Sequence, residues 1–402
     1  MFERMTISTV NKDYGRFLDC DICSGELGKL GSMEFELIDE GRYEQTMRQT
    51  VMPALEHCKR EGWMRSHSPE AAETKSSQSN SASAAVQADF ADATGPDRLH
   101  YVCYEAERFD ELKLPGSQGR HRGVIVISHG FTEFAGKYNE MAWYFLLSGY
   151  TVCILEHWGH GLSGRGLHDP NLVWVDSYER YVEDLAAFCE EMAAVYGGDQ
   201  PICLFAHSMG GGIAASLLER HPMLIDRAVL SSPMIAPKTG LPLGVAQLVM
   251  EAACAAGKGQ SKVPGHHPFS PEFDESAVGN ASPARLRWIH QQRASSSDFQ
   301  TSAATYGWVR EAIALSRQVL KPALCEHVEA STLVFQASPD SFVLPKPQNR
   351  FVNQVRNGGS SISLVRIPRA GHELYTMPNP ILKPYLESTL KFLADPYAPI
   401  AN

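Results

Sequence analysis

The chain is short of the features that would place it in a membrane or outside the cell. No run approaches the roughly 18 consecutive apolar residues that cross a bilayer. The opening residues, Met1-Phe2-Glu3-Arg4-Met5-Thr6-Ile7, lack the basic start and apolar core of a secretory signal. Basic residues are few: 36 Lys and Arg stand against 46 Asp and Glu, a formal net charge of −10. That balance argues against a nucleic-acid partner and disfavours broad electrostatic adhesion to anionic membrane. The nine cysteines are an odd set, scattered, with Cys153 and Cys203 inside apolar stretches, which suits reduced core thiols rather than a disulfide framework. Cys20-Asp21-Ile22-Cys23 is a solitary C-x-x-C with no second pair to complete a metal site. The expected location is therefore cytoplasmic, with the membrane periphery as an alternative. What is present is ordinary for a soluble globular protein, 44% hydrophobic and 20% charged, in a chain long enough to bury a large core.

Residues 1–39 show no clear period and receive no role. From 40 to 64 the apolar residues Tyr43, Met47, Val51, Leu55 and Cys58 recur every three or four positions, one face of a helix that packs on the main domain, with Pro53 kinking or restarting it. Residues 65–97 are rich in Ser and Ala and read as a flexible linker. The first part of an α/β core is expected over 98–235. Its strands are Leu99–Tyr104, Gly123–Ser128, Gly149–Leu155 and Arg227–Pro233, with helices from about Tyr138 and over Ser177–Tyr196. An insertion follows over 236–304, whose apolar stretch Leu241–Ala256 forms a helix at a pocket mouth or a buried helix. The core resumes over 305–402, with a helix from Tyr306, strands Ser331–Ala337 and Ile362–Ile367, and a last helix carrying Leu386, Leu390 and Phe392.

The chain is organised around Pro201-Ile202-Cys203-Leu204-Phe205-Ala206-His207-Ser208-Met209-Gly210-Gly211-Gly212. An apolar strand breaks through a tight turn into a helix, and small residues let the two approach closely. This is the logic of the G-x-S-x-G elbow, with Ala206 in the first small position. Ser208 would stand at the positive end of the new helix, where a developing oxyanion is favoured. A serine needs a base, and the base an orienting acid. With that arrangement the chain order is serine, acid, histidine. Asp340 ends the strand Ser331–Ala337, and His372, in Gly371-His372-Glu373, is the only histidine after it. The candidate catalytic residues are Ser208, Asp340 and His372. The candidate oxyanion donors are the backbone amides of Phe131, in the loop His129-Gly130-Phe131-Thr132-Glu133, and Met209. His157 and His160 lie in a glycine-rich loop with no further ligand close in sequence and are expected to pack that loop; no metal is expected.

These residues resemble the α/β-hydrolase superfamily, and within it the bacterial lysophospholipase and monoacylglycerol lipase branch, described also as serine-aminopeptidase-like. The resemblance rests on His129-Gly130-x-x-Glu133, Gly159-His160-Gly161-x-Ser163, Ala206-His207-Ser208-Met209-Gly210-Gly211 and Gly371-His372-Glu373. It is carried further by Ser163-Gly164-Arg165, Asp169-Pro170, Tyr181-Val182-x-Asp184-Leu185 and Tyr306-Gly307-Trp308. It covers about residues 40 to 64 and 98 to 395 and implies a mostly parallel central sheet flanked by helices, with an inserted cap. It implies a serine carboxylic-ester hydrolase acting through an acyl-enzyme on a small-molecule acyl ester or single-chain lipid, with no metal or organic cofactor. Peptide or amide cleavage, acyl transfer with the same residues, and a non-catalytic binding protein of this fold are the alternatives. A transient membrane-surface contact through the cap is open, as is the oligomeric state. Ala206, Glu156 and Trp158 depart from the usual residues of this group, and the Ser-rich insert has no counterpart in it.

Overall fold

The computed structural model describes residues 19–21, 35–67 and 95–395. The expected features in 1–18, 22–34 and 68–94, including Cys23 and most of the Ser/Ala-rich linker, lie outside the described residues. Nine strands form one sheet. They are β1 (Asp19–Asp21), β2 (Lys59–Arg65), β3 (Arg98–Tyr104), β4 (Val124–Ser128), β5 (Thr151–Leu155), β7 (Ile202–His207), β8 (Arg227–Ser231), β10 (Ser331–Ser338) and β11 (Ile362–Pro368). The two-residue strands β6 (Leu172–Val173) and β9 (Ala303–Ala304) pair separately. The main order is β1-β11-β10-β8-β7-β4-β5-β3-β2, parallel from β1 to β5, with β3 antiparallel to β5 and β2 antiparallel to β3.

The central strands are apolar almost throughout because helices cover both faces of the sheet. Every residue of β4, β5 and β7 is buried. Side chains alternate between faces, so Val124, Val126 and Leu204 join one core cluster while Ile125, Ile127 and Phe205 join the other. The first face is covered by helices α3 (Tyr178–Met192), α4 (Met209–Arg220), α7 (Tyr306–Gln318) and α8 (Pro345–Asn357). The second is covered by α1 (43–58), α2 (Asn139–Leu147) and α9 (Asn379–Ala394).

The expected helix over 40–64 is corrected at its end. Tyr43, Met47, Val51, Leu55 and Cys58 are all buried on one face, but the helix stops at Cys58 and residues 59–65 become β2 on the edge of the sheet. Within α1, Met47–Val51 is π-helical and Pro53 is the second residue of the final α-helical stretch, Met52–Cys58. Proline has no N–H to give to the preceding turn and its ring crowds that turn, so the wider coil relieves the clash.

The insertion between β8 and β10 carries α5 (Leu243–Ala255) and α6 (Pro283–Ala294). Of the two readings offered for Leu241–Ala256, the buried helix fails. Only Ala246 and Met250 of α5 are buried, against Ile313 of α7, while Leu248 is 67% exposed and Leu241, Val245 and Val249 are exposed too. No helix among the described residues is long and apolar enough to cross a membrane.

Candidate active site

The elbow sits where β7 passes into α4. Ser208 is the N-cap of α4 with φ 51° and ψ −117°, a left-handed backbone that costs a non-glycine residue about 1–3 kcal/mol. The strain is held by bonds on both sides of the turn: the Ser208 N–H donates to the Ser231 carbonyl at 3.1 Å, and the Ser208 carbonyl accepts from Met234 N–H at 2.7 Å. A Cβ on Gly210 would lie 2.2 Å from the Ser128 carbonyl oxygen, so that small position is obligatory. Ala206 is fully buried inside β7, in the first core cluster, so the methyl it carries in place of the usual glycine is packed there.

Ser208, Asp340 and His372 meet above the carboxyl ends of β7, β10 and β11. The Ser208 Oγ is 2.7 Å from His372 Nε2, and His372 Nδ1 is 2.7 Å from Asp340 Oδ2. A carboxylate only accepts, so Nδ1 carries the ring proton and Nε2 accepts from the serine hydroxyl. The other carboxylate oxygen, Oδ1, accepts the N–H groups of Phe342 at 2.8 Å and Val343 at 3.0 Å. Burial alone would raise the Asp340 carboxyl, but the hydrogen bond and charge of His372 and the two backbone donors outweigh it and hold it below the usual carboxylate range.

Of the two candidate oxyanion amides, Met209 is the first residue of α4, where N–H groups have no intrahelical partner. Phe131 lies in a turn after β4 in which Glu133 N–H donates to the Gly130 carbonyl at 3.3 Å and Thr132 adopts φ 62°. The Phe131 ring packs 4.1 Å from Trp308 of α7, centroid to centroid. Trp308 also lines a small apolar cavity with Tyr181, Met209, Ile213 and Met234.

His157 and His160 are buried with His129, their rings 4.7 and 5.2 Å from it. His129 Nε2 accepts the His157 N–H, and His160 meets the Phe131 ring edge-on. Burial pushes all three imidazoles below their ordinary range, so they are neutral packing groups behind the Phe131 turn.

Several contributors escaped sequence reasoning. Glu156 accepts from the Ala135 and Leu162 N–H groups and contacts His100 Nδ1 at 3.0 Å, fastening two loops beside the site. Phe342, 65% exposed, lies 5.1 Å from the His372 ring. Lys137 and Tyr375 converge on Glu133. Glu133 stood in a motif and Glu156 was noted only as a departure from the usual residue; the ties of Lys137 to Glu373, Tyr375 to Glu133 and Phe342 to His372 carried no local signal, because they join residues remote in sequence.

A family model described as serine aminopeptidase, S33, matches residues 119–378. Lysophospholipase L2 of Escherichia coli K12 is 31% identical over 278 residues, covering 66% of this chain and 74% of that protein. A monoacylglycerol lipase of Mycolicibacterium smegmatis is 34% identical over 127 residues, covering 30% of this chain and 41% of the other. Among solved structures, a carboxyl esterase of Bacillus coagulans in complex with glycerol aligns with TM-score 0.58 at 16% identity, over 75% of this chain and 96% of that one. A monoglyceride lipase of Saccharomyces cerevisiae aligns with TM-score 0.57 at 15% identity, over 75% and 93%. The match over more than half the chain, on a sheet of this order, makes the protein a hydrolase of the serine aminopeptidase S33 family within the α/β-hydrolase superfamily.

Proposed function

We propose that the protein is a carboxylic-ester hydrolase that cleaves single-chain lipids, lysophospholipids or monoacylglycerols, through an acyl-enzyme on Ser208. The observation that carries this reading is the unbroken chain of two 2.7 Å contacts from Ser208 through His372 to Asp340. His372 Nε2 takes the hydroxyl proton as Ser208 Oγ bonds to the acyl carbon, and the imidazolium keeps its orientation on Asp340. The carbonyl oxygen becomes an oxyanion between the Phe131 and Met209 amides. Collapse of the tetrahedral adduct breaks the ester bond, and His372 returns the proton to the departing alcohol. Water, deprotonated by His372, then attacks the acyl-enzyme and releases the acid. The paired rings of Phe131 and Trp308 favour a greasy acyl group, as does the similarity to a lysophospholipase and to monoacylglycerol lipases.

The test is hydrolysis of a p-nitrophenyl ester chain-length series beside lysophosphatidylcholine, monoacylglycerol, aminoacyl amides and acceptor alcohols. Lipid esters should be turned over fastest, and Ser208→Ala should lower turnover on the order of 10⁶-fold, as loss of the nucleophile does in subtilisin. Near-normal turnover by that variant removes Ser208 from the chemistry. A preference for aminoacyl amides transfers the same residues to peptide cleavage.

A further inference from the structure

The Glu133 side chain lies close to all three corners of the proposed site. Its Oε2 accepts the Gly130 N–H at 2.6 Å and the Tyr138 hydroxyl at 2.5 Å. Its Oε1 accepts from Lys137 Nζ at 2.7 Å and from the Tyr375 hydroxyl at 2.7 Å. The imidazole of His207, the neighbour of Ser208, stands 3.8 Å from the same oxygen. Lys137 Nζ continues to Glu373 Oε1 at 2.7 Å, and Glu373 is the residue after His372. The network therefore begins one peptide before Phe131 and ends one peptide after His372.

We propose that Glu133 is a positioning residue that keeps the Phe131 amide in register with His372, with Lys137 and Tyr375 as its ties to the histidine turn. The inference rests on the serine mechanism proposed above. The Phe131 N–H can receive an oxyanion only if the turn presents it at hydrogen-bonding distance from the place where charge develops. That turn contains a non-glycine residue in the left-handed region, Thr132, so it needs outside support to persist. The carboxylate supplies it from inside: Glu133 has a side chain only 3% exposed and Lys137 one 10% exposed. Neither can exchange its partners for water, so the geometry of one end constrains the other. Two carboxylates share one ammonium, which ties the Glu133 turn to the residue after His372. The His207 ring, 3.8 Å from Glu133 Oε1, also lies tilted against the His372 ring with centroids 4.8 Å apart.

The experiment compares the full-length protein with Glu133→Gln, Lys137→Met, Lys137→Arg and Tyr375→Phe. Each is measured for kcat and KM on the best ester and for inhibition by an alkylboronic acid, whose tetrahedral adduct on serine presents an oxygen to the oxyanion amides. A misplaced amide weakens only the tetrahedral state. Glu133→Gln should therefore lower kcat by about 10²-fold, within the range seen for one lost oxyanion donor. It should weaken boronate inhibition by a similar factor and leave KM within about threefold. Lys137→Met should show the same split at about tenfold, with Lys137→Arg restoring most of it. A role confined to stability would lower the unfolding midpoint without that split. If folded Glu133→Gln keeps kcat and boronate affinity within about threefold of the parent, the proposal is overturned. If Glu133→Gln does not fold, unchanged kcat and boronate affinity in both Lys137→Met and Tyr375→Phe overturn it equally. Fluorophosphonate labelling of Ser208 in the parent protein separates the two readings, since an unlabelled parent refutes the serine mechanism itself.

Discussion

Asp340 uses both oxygens, one on the imidazole and one on the backbone of its own loop, and this division fixes which proton His372 holds. An amide in place of the carboxylate can still accept from Phe342 and Val343, but its NH₂ can face Nδ1 only if that nitrogen has lost its proton. The ring proton then moves to Nε2, where it blocks acceptance from Ser208. Asp340→Asn should thus fold normally and lose about 10⁴-fold in kcat with little change in KM, the size seen when the equivalent change inverts the tautomer in a serine protease. Steady-state kinetics with the unfolding midpoint as control checks it, and a loss under tenfold would mean that Asp340 does not set the tautomer.

Helices α5 and α6 belong to one insertion but are held in different ways. Arg285 of α6 is 1% exposed; its Nε and Nη2 donate to Glu140 at 2.8 Å each, its Nη1 to the Met377 carbonyl and its Nη2 to Asn379 Oδ1. Glu140 also accepts from Tyr43 and Tyr144, so the ion pair joins α6, α2, α1 and the segment leading into α9. Removing one partner leaves a buried charge uncompensated, and Arg285→Met should cost about 3–5 kcal/mol in urea unfolding. The outer face of α5 touches little, so Leu248→Ser should change stability by less than about 0.5 kcal/mol. These two elements also mark what the sequence could disclose. Apolar runs such as Val124–Ser128 and the elbow at Ser208 were legible because their cause is local: strand burial and a steric turn. The 3.6-residue period found α1 but could not find its end, because Lys59–Arg65 becomes a strand through pairing with β3 rather than through its own pattern. Arg285, Glu156 and Lys137 were invisible for the same reason. The contacts that tie them into the fold, Glu156 to Ala135, Arg285 to Glu140 and Lys137 to Glu373, span 21, 145 and 236 residues, and no local pattern encodes such a contact.

Across the whole molecule, stability should depend on pH in opposite directions on either side of neutrality. Burial lowers His129, His157, His160 and His207, the last to about 4. The unfolded chain binds these protons near pH 6.5 and the folded chain does not, so the stability tied to them is complete above 6.5 and is lost as pH falls towards the folded values. For His207 alone the shift corresponds to about 3 kcal/mol at pH 4. Glu219 of α4 has the opposite sign. It is 1% exposed, its Oε2 has no hydrogen-bond partner, and burial raises it to about 8. The folded state keeps a proton that the unfolded state has released by pH 4.5, so its contribution is present below 4.5 and is lost as pH rises through 8. Between 4.5 and 6.5 the four histidines oppose Glu219 together with Asp184, Glu311 and Glu387, which burial also raises, and acidification should destabilise the protein with net proton uptake on unfolding. Between 6.5 and 8 Glu219 acts without that opposition, in the same direction as His221, which its hydrogen bond to Glu183 raises. Urea titrations at constant ionic strength should therefore give a maximum near pH 6.5–7, and Glu219→Gln should flatten the alkaline limb while leaving the acid limb unchanged. A parent protein equally stable at pH 5 and 7, or a Glu219→Gln variant with the parent's alkaline slope, would contradict this assignment of charges.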